Sequence, residues 1–256
     1  MDYANLFRLD GKSAVVIGAG SGIGRESARA LAAHGARVTC ADRDGAAAEG
    51  TAELIGDAAD PRVLDVLDTE RIASAAHQLP ETDVLVFTAA TNVRKRLADC
   101  SSEEFERVLA LNLRASFELV RAFAPAMAER RRGSIIGFSS IRASTVEPGQ
   151  GAYSTTKAGL IQLLRTAAAE YGRHGVRANA VAPGVVETPL TRQITDDPGW
   201  YRAYADKSAL ARWSRPEEIA GAVVYLASEA SSFVTGSVLT VDGGWTAVDG
   251  RFDPPE

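Results

Sequence analysis

Short runs rich in Val and Ile alternate with longer helical stretches from one end of this chain to the other, which constrains the fold more than any other feature. The runs cover residues 13–17, 37–41, 62–64, 83–87, 134–138, 177–181 and 238–241. Each is short and apolar throughout, as strands are when both faces of their sheet are covered. Between them the pattern predicts helices over 22–34, 44–55, 69–77, 102–129, 153–173 and 216–228. Ser102 ahead of Glu103 and Glu104, and Pro216 ahead of Glu217 and Glu218, are helix-start signals. Parallel neighbours need a crossover helix, so the alternation implies an α/β fold. A doubly wound parallel sheet of about seven strands is expected, with helices on both faces.

No internal repeat or linker interrupts residues 1–256, so one domain is expected. The stretch 187–213 breaks the rhythm: it is long, polar and aromatic, with Trp200, Tyr201, Tyr204 and Trp213, and is expected to be a substrate lid, with an irregular pair of packing helices as the alternative. The net charge of −5 argues against a nucleic-acid partner. The basic run Arg130-Arg131-Arg132 reads as a solvated helix end before Gly133. Cys40 and Cys100 cannot build a disulfide framework, and His34, His77 and His174 show no metal-ligand spacing, so no metal site is expected. With no apolar run near the roughly 20 residues of a membrane span and no signal-peptide pattern, the expectation is a cytoplasmic protein without a membrane partner.

The first strand runs into Gly18-Ala19-Gly20-Ser21-Gly22-Ile23-Gly24 and then a helix. Glycines allow the unusual backbone angles and close approach that a pyrophosphate needs, and the helix N-terminus offers it free N–H groups. The second strand ends at Asp42, whose carboxylate can accept from both adenosine ribose hydroxyls and would repel a 2′-phosphate. Arg43 beside it could instead pair with that phosphate. Ser21 supplies no basic group in the turn, so NAD is favoured, with NADP left open.

Tyr153 and Lys157 are four residues apart and share one helix face. A phenol is a poor base at neutral pH, and a neighbouring ammonium favours its ionised form. Ser140 lies just past a buried strand, and Asn112 sits in the apolar Leu111-Asn112-Leu113, where a buried amide needs a partner. After the sixth strand, Pro183-Gly184-Val185-Val186 leads to Thr188. All these positions fall where doubly wound sheets bind ligands.

Together with the ending Val241-Asp242-Gly243-Gly244, these motifs resemble the short-chain dehydrogenase/reductase family over nearly the whole chain. The resemblance implies a Rossmann-type domain that passes hydride between NAD(P) and a secondary alcohol or ketone. By it, Tyr153 would be the general acid–base and Ser140 would hold the substrate oxygen. Lys157 would bind the nicotinamide ribose and lower the tyrosine pKa, and Asn112 would hold a water continuing the proton relay. Asp65 and Val66 would meet the adenine, while Val186 and Thr188 would bind the carboxamide. Two positions depart from the family: Ile17 stands where Thr is usual, and Phe87-Thr88-Ala89-Ala90 where Asn-Asn-Ala-Gly is usual. Apolar contacts are expected to replace the lost hydrogen bond, with cofactor held through the backbone of Ala89.

Asn92, Arg94, Arg142, Glu147 and Gln150 are the expected substrate-facing residues, a polar set that suits a polyol, sugar or hydroxy acid. Gln150 replaces the arginine that binds carboxylate in hydroxybutyrate- and sugar-acid-specific relatives. One alternative is a 3-oxoacyl-[acyl-carrier-protein] reductase, docking through Arg130–Arg132 and Arg173. Another is a non-catalytic dinucleotide-sensing protein. Apolar helix faces over 102–129 and 153–173 suggest a subunit interface, and the resemblance implies a homotetramer, with a dimer as the smaller possibility. The tail 246–256, with Arg251 and Phe252, is expected to cross a dimer axis and close a neighbour's pocket.

Overall fold

Alternation along the first strand sends Ala14 and Val16 into one apolar layer and Val15 and Ile17 into the other, and all four are buried. Both faces of the sheet are therefore covered, as an uninterrupted apolar run requires. The computed structural model describes residues 3–249. Its strands are β1 (Ser13–Ile17), β2 (Arg37–Asp42), β3 (Ala59–Val63), β4 (Val84–Phe87), β5 (Gly133–Phe138), β6 (Val176–Pro183) and β7 (Val238–Val241). They form one parallel sheet in the order β3-β2-β1-β4-β5-β6-β7. The chain reverses its winding between β1 and β4, which opens a crevice at their C-terminal ends.

Helices α1 (Gly22–Ala33), α2 (Gly45–Ile55) and α3 (Thr69–Gln78) follow the first three strands. The expected helix over 102–129 divides into α4 (Ser102–Leu109), a π turn (Ala110–Arg114) and α5 (Ala115–Glu129). Its cap is Ser101, one residue earlier than expected. The Ser101 hydroxyl accepts from the Glu104 N–H at 3.3 Å, while the Glu104 carboxylate accepts from the Ser101 N–H at 3.0 Å. Helix α6 (Gly151–Tyr171) packs with α3 and α5 in one layer, and α1, α2 and α9 (Glu217–Ala227) contribute to the other.

Strand β3 starts three residues before the expected 62, running through Asp60 and Pro61. It is an edge strand and mostly exposed, a position where a proline's missing N–H is tolerated. The stretch 187–213 is helical, as the packing-helix alternative expected. It forms a 3-10 turn (Pro189–Thr191), α7 (Arg192–Thr195) and α8 (Pro198–Lys207), and its aromatics build a small core. Trp213 stacks on Tyr201 and Tyr204 at ring distances of 5.2 and 5.7 Å, and its indole N–H donates to the Tyr201 carbonyl. Tyr204, Trp213 and Trp245 are buried with Ile141, Val185 and Ile194, forming a helical cap at the C-terminal ends of β5 and β6. The expected tail contact through Arg251 and Phe252 lies outside the described residues.

Candidate active site

A cleft of about 700 Å³ runs along the C-terminal ends of the strands. Its floor is the glycine turn, where the backbone leaves no space for side chains. A Cβ on Gly24 would strike the Gly18 carbonyl, and one on Gly18 would come within 2.6 Å of the Thr88 hydroxyl and 3.0 Å of the Ala89 nitrogen. Gly18 and Gly22 also take φ of +83° and +51°, the left-handed region that glycine occupies at little cost. Ser21 caps α1 without a side-chain hydrogen bond, so no hydroxyl competes for the first-turn N–H groups.

Asp42 does more than end β2. Its carboxylate accepts from the Gly20 N–H at 2.9 Å and the Asp44 N–H at 3.0 Å, tying the glycine turn to the adjacent loop. It still lines the cleft beside Arg43, Asp65 and Val66. Arg43 is exposed, and the Asp65 carboxylate accepts from the Leu67 N–H.

The polar contact expected to be lost beside the turn is made by another residue. The Thr88 hydroxyl donates to the Ile17 carbonyl at 3.1 Å and approaches the Gly18 carbonyl at 3.3 Å. A threonine on the β4 side thus replaces one on the β1 side, and apolar contact is not what substitutes.

Tyr153 and Lys157 face the cleft from α6, one turn apart, with Lys157 Nζ 5.4 Å from the centre of the phenol ring. The lysine is buried, and its ammonium donates to the Phe138 carbonyl at 2.7 Å. Burial alone pushes its pKa down to about 8. Burial likewise pushes the Tyr153 phenol up, against the Ser140 hydrogen bond and the positive charges of Arg94 and Arg142, which pull it down. Ser140, at the end of β5, also accepts from the Arg142 N–H at 3.1 Å.

Asn112 occupies the π turn, a local widening common at functional sites. Its side chain is fully committed: the amide oxygen accepts from the Thr91 N–H, and the amide N–H groups donate to the Thr91 carbonyl and Thr156 hydroxyl. With both amide N–H groups taken, a water at Asn112 would have to donate to one of its carbonyl oxygens. Asn112 also anchors the segment after β4, which carries Ala89 and Asn92.

All the expected cofactor residues line the cleft: Gly18, Ser21, Gly22, Ile23, Gly24, Asp42, Arg43, Asp65, Val66, Ala89, Tyr153, Lys157, Pro183, Gly184, Val186 and Thr188. Arg107 and Leu111 line it too, and nothing in their local sequence marks them. A second recess of about 70 Å³ adjoins the first, sharing Ser140, Tyr153, Gly184, Leu190 and Thr191. Asn92, Arg94, Arg142 and Gln150 line this recess, under Tyr204 and Trp213 of the cap. Glu147 sits behind them, paired to Arg142 at 2.6 Å. Arg130 and Arg132 lie at the N-terminal ends of β4 and β5, the end of the sheet opposite the cleft, ion-paired with Glu81 and Asp83. None of Arg130, Arg131, Arg132 and Arg173 lines either recess.

A glycine turn at the sheet's switch point and a buried tyrosine–lysine pair across the cleft define a dinucleotide-dependent oxidoreductase. The family model described as enoyl-(acyl carrier protein) reductase matches residues 18–246. Galactitol 2-dehydrogenase (L-tagatose-forming) of Cereibacter sphaeroides is 39% identical over 252 residues, covering 96% of this chain and 99% of its own. The 2-keto-3-deoxy-L-fuconate dehydrogenase of Xanthomonas campestris is 39% identical, over 93% of this chain and 81% of its own. A gluconate 5-dehydrogenase from Burkholderia cenocepacia, solved with NADP and tartrate, superposes with a TM-score of 0.93 at 33% identity, over 96% of this chain and 100% of its own. The chain belongs to the short-chain dehydrogenase/reductase family and is an NAD(P)-dependent oxidoreductase acting on CH–OH groups.

Proposed function

We propose that this enzyme interconverts a secondary alcohol and ketone on a polyol, sugar or hydroxy acid, with NAD preferred and Tyr153 as the acid–base. One observation carries the reading: the glycine-turn cleft and the polar recess meet at Ser140 and Tyr153. The carbon that reacts must face the dinucleotide on one side and the acid–base on the other, and only that junction offers both. The relatives named for galactitol, a keto-deoxy sugar acid and gluconate support a polar substrate.

The residues present fit the cofactor, since the turn excludes any Cβ and an acidic group stands where an adenosine ribose would lie. Gly18 and residues 21–24 would hold the pyrophosphate, Asp42 and Arg43 the ribose, and Asp65 and Val66 the adenine. Ala89, Pro183, Gly184, Val186 and Thr188 would line the nicotinamide end, with Lys157 on its ribose. Bound there, the nicotinamide supplies the hydride acceptor or donor. Asp42 supports NAD because its carboxylate would repel a 2′-phosphate, while Arg43 is exposed and free to swing away.

In the oxidation direction Tyr153 takes the hydroxyl proton, and Ser140 donates to the same oxygen as charge grows on it. Arg94 and Arg142 assist by favouring the phenolate. Exposed Phe105 and Phe117 on α4 and α5 support assembly through that face, which we take to be a homotetramer's. Free Cys40 and Cys100 fit a reducing cytoplasm. A spectrophotometric screen with NAD and NADP against polyols, aldoses, sugar acids and hydroxy acids tests the reading. Turnover within that panel is expected, and its absence throughout would refute the proposal.

A further inference from the structure

The recess beside Tyr153 holds an uneven balance of buried charge. Arg94 and Arg142 have side chains only 19% and 10% exposed, yet they share one carboxylate, Glu147. Arg142 meets Glu147 at 2.6 Å, whereas Arg94 reaches it only at 3.6 Å. Among the described residues, no other acidic group lies within ion-pair distance of either guanidinium. Burying a cation is costly unless it is paired, so a second anion is wanted here.

The cations also sit beside the aromatic rings of the cap. The Arg94 guanidinium lies over Trp200 at 5.3 Å, and that of Arg142 lies 5.9 Å from Tyr204 and 5.5 Å from Trp245. A guanidinium beside an aromatic ring can still offer N–H groups to a carboxylate, which favours arginine over lysine at such a site.

A second observation comes from the amides. The Glu147 carboxylate can only accept, so Gln150 must turn its NH₂ group toward it. The Gln150 oxygen then accepts from the Asn92 NH₂ at 3.1 Å. That chain fixes both amide orientations and leaves Asn92 Oδ1 as a buried acceptor without a donor, in a residue that lines the recess. A hydroxyl is the group it lacks.

We propose that Arg94 and Arg142 form an anion subsite beside Tyr153, and that the substrate is a hydroxy acid of the aldonate type. Its carboxylate bridges the two guanidiniums, and a neighbouring hydroxyl donates to Asn92 Oδ1. Glu147 holds Arg142 in place and opposes the incoming charge, which makes it a positioning residue that limits affinity for acids. The assignment rests on the dehydrogenase reading of the same site and narrows its substrate class.

The test compares gluconate with the matched alditol sorbitol, and galactonate with galactitol, on the full chain. Turnover is one readout. The other is intrinsic tryptophan fluorescence with and without NAD, since Trp200 and Trp245 lie beside the two arginines. The aldonates are expected to show kcat/KM about tenfold or more above the alditols, as for one added ionic contact. Arg94→Met and Arg142→Met each raise KM for the acids about tenfold more than for the alditols, and weaken the gluconate fluorescence response in step. Glu147→Gln lowers KM for the acids, which a purely structural glutamate would not do. Turnover of alditols with equal or poorer use of acids would overturn the anion subsite and leave the dehydrogenase reading standing. No turnover of either would sink that reading, while a gluconate response lost in both arginine variants would still support the subsite. A response unaffected by those variants would overturn it.

Discussion

The Lys157 ammonium lies 5.4 Å from the centre of the Tyr153 ring, and burial pushes both groups toward their neutral forms. The lysine donates to the Phe138 carbonyl, and among the described residues no carboxylate pairs with it. The site therefore holds an electrostatic cost that ordinary packing would avoid, as functional sites often do.

That cost has a measurable signature in stability. Below pH of about 8 Lys157 is charged in both folded and unfolded chains. From there to the unfolded value near 10.4, the unfolded chain keeps a proton that the folded one has lost, so this group makes stability rise with pH. Burial pushes the Cys40 thiol up to about 11, which gives the opposite slope over an overlapping range. Lys157→Met retains the cysteine effect, so the lysine is isolated in the difference between the two proteins. The variant is expected to be more stable at pH 7 by about 1–3 kcal/mol, with the gap closing as pH rises toward 10. Urea unfolding of both proteins across that range checks it. A variant less stable at pH 7, or a gap that widens with pH, contradicts it.

Asp42 is expected to set cofactor choice. Replacing it in Asp42→Ser removes the charge facing a 2′-phosphate and leaves Arg43 to pair with it. The ratio of kcat/KM for NADP over NAD should rise about tenfold or more. Because Asp42 also accepts from the Gly20 N–H, activity with NAD should fall. An unchanged ratio would remove Asp42 from cofactor selection.

The glycine turn can be probed by contrast. Gly24→Ala sets a Cβ against the Gly18 carbonyl and is expected to abolish dinucleotide binding. Gly50, within α2, has open space around it, so Gly50→Ala should stabilise the fold by about 0.5–1 kcal/mol. Thr88→Val removes the hydroxyl that reaches Ile17 and Gly18, and should weaken dinucleotide binding by roughly 1 kcal/mol. Calorimetric titration and thermal melts separate these outcomes. Unaltered binding by Gly24→Ala would mean that the turn does not cradle phosphate.

What could be read in the amino-acid order was whatever local chemistry enforces. The apolar runs of β1, β4 and β5 announce strands covered on both faces, and the glycine turn announces a close backbone approach. Tyr153 and Lys157 share a face because the helical repeat places them there. Contacts made by tertiary packing left no such mark. Asn112 is visible as a buried amide, but its partner Thr91 lies across the fold, and the π turn that aims it has no periodic signature. Thr88 read as a lost asparagine, because its partner carbonyls belong to β1 and the glycine turn. Asp60 and Pro61 fall outside the apolar run that begins at 62, though an edge position lets them extend β3. The aromatics of the cap fitted a lid or a pair of packing helices equally well, and only their mutual stacking shows that Trp213 and Tyr204 form a core.

The most direct test of the central claim is turnover by Tyr153→Phe on a substrate found in the screen, with cofactor affinity measured in parallel. General acid–base catalysis contributes about 10²–10⁴-fold, so kcat should fall by that factor while NAD(H) affinity stays within about threefold. Near-normal turnover would contradict the account, because the proton would then be moved by some group other than Tyr153.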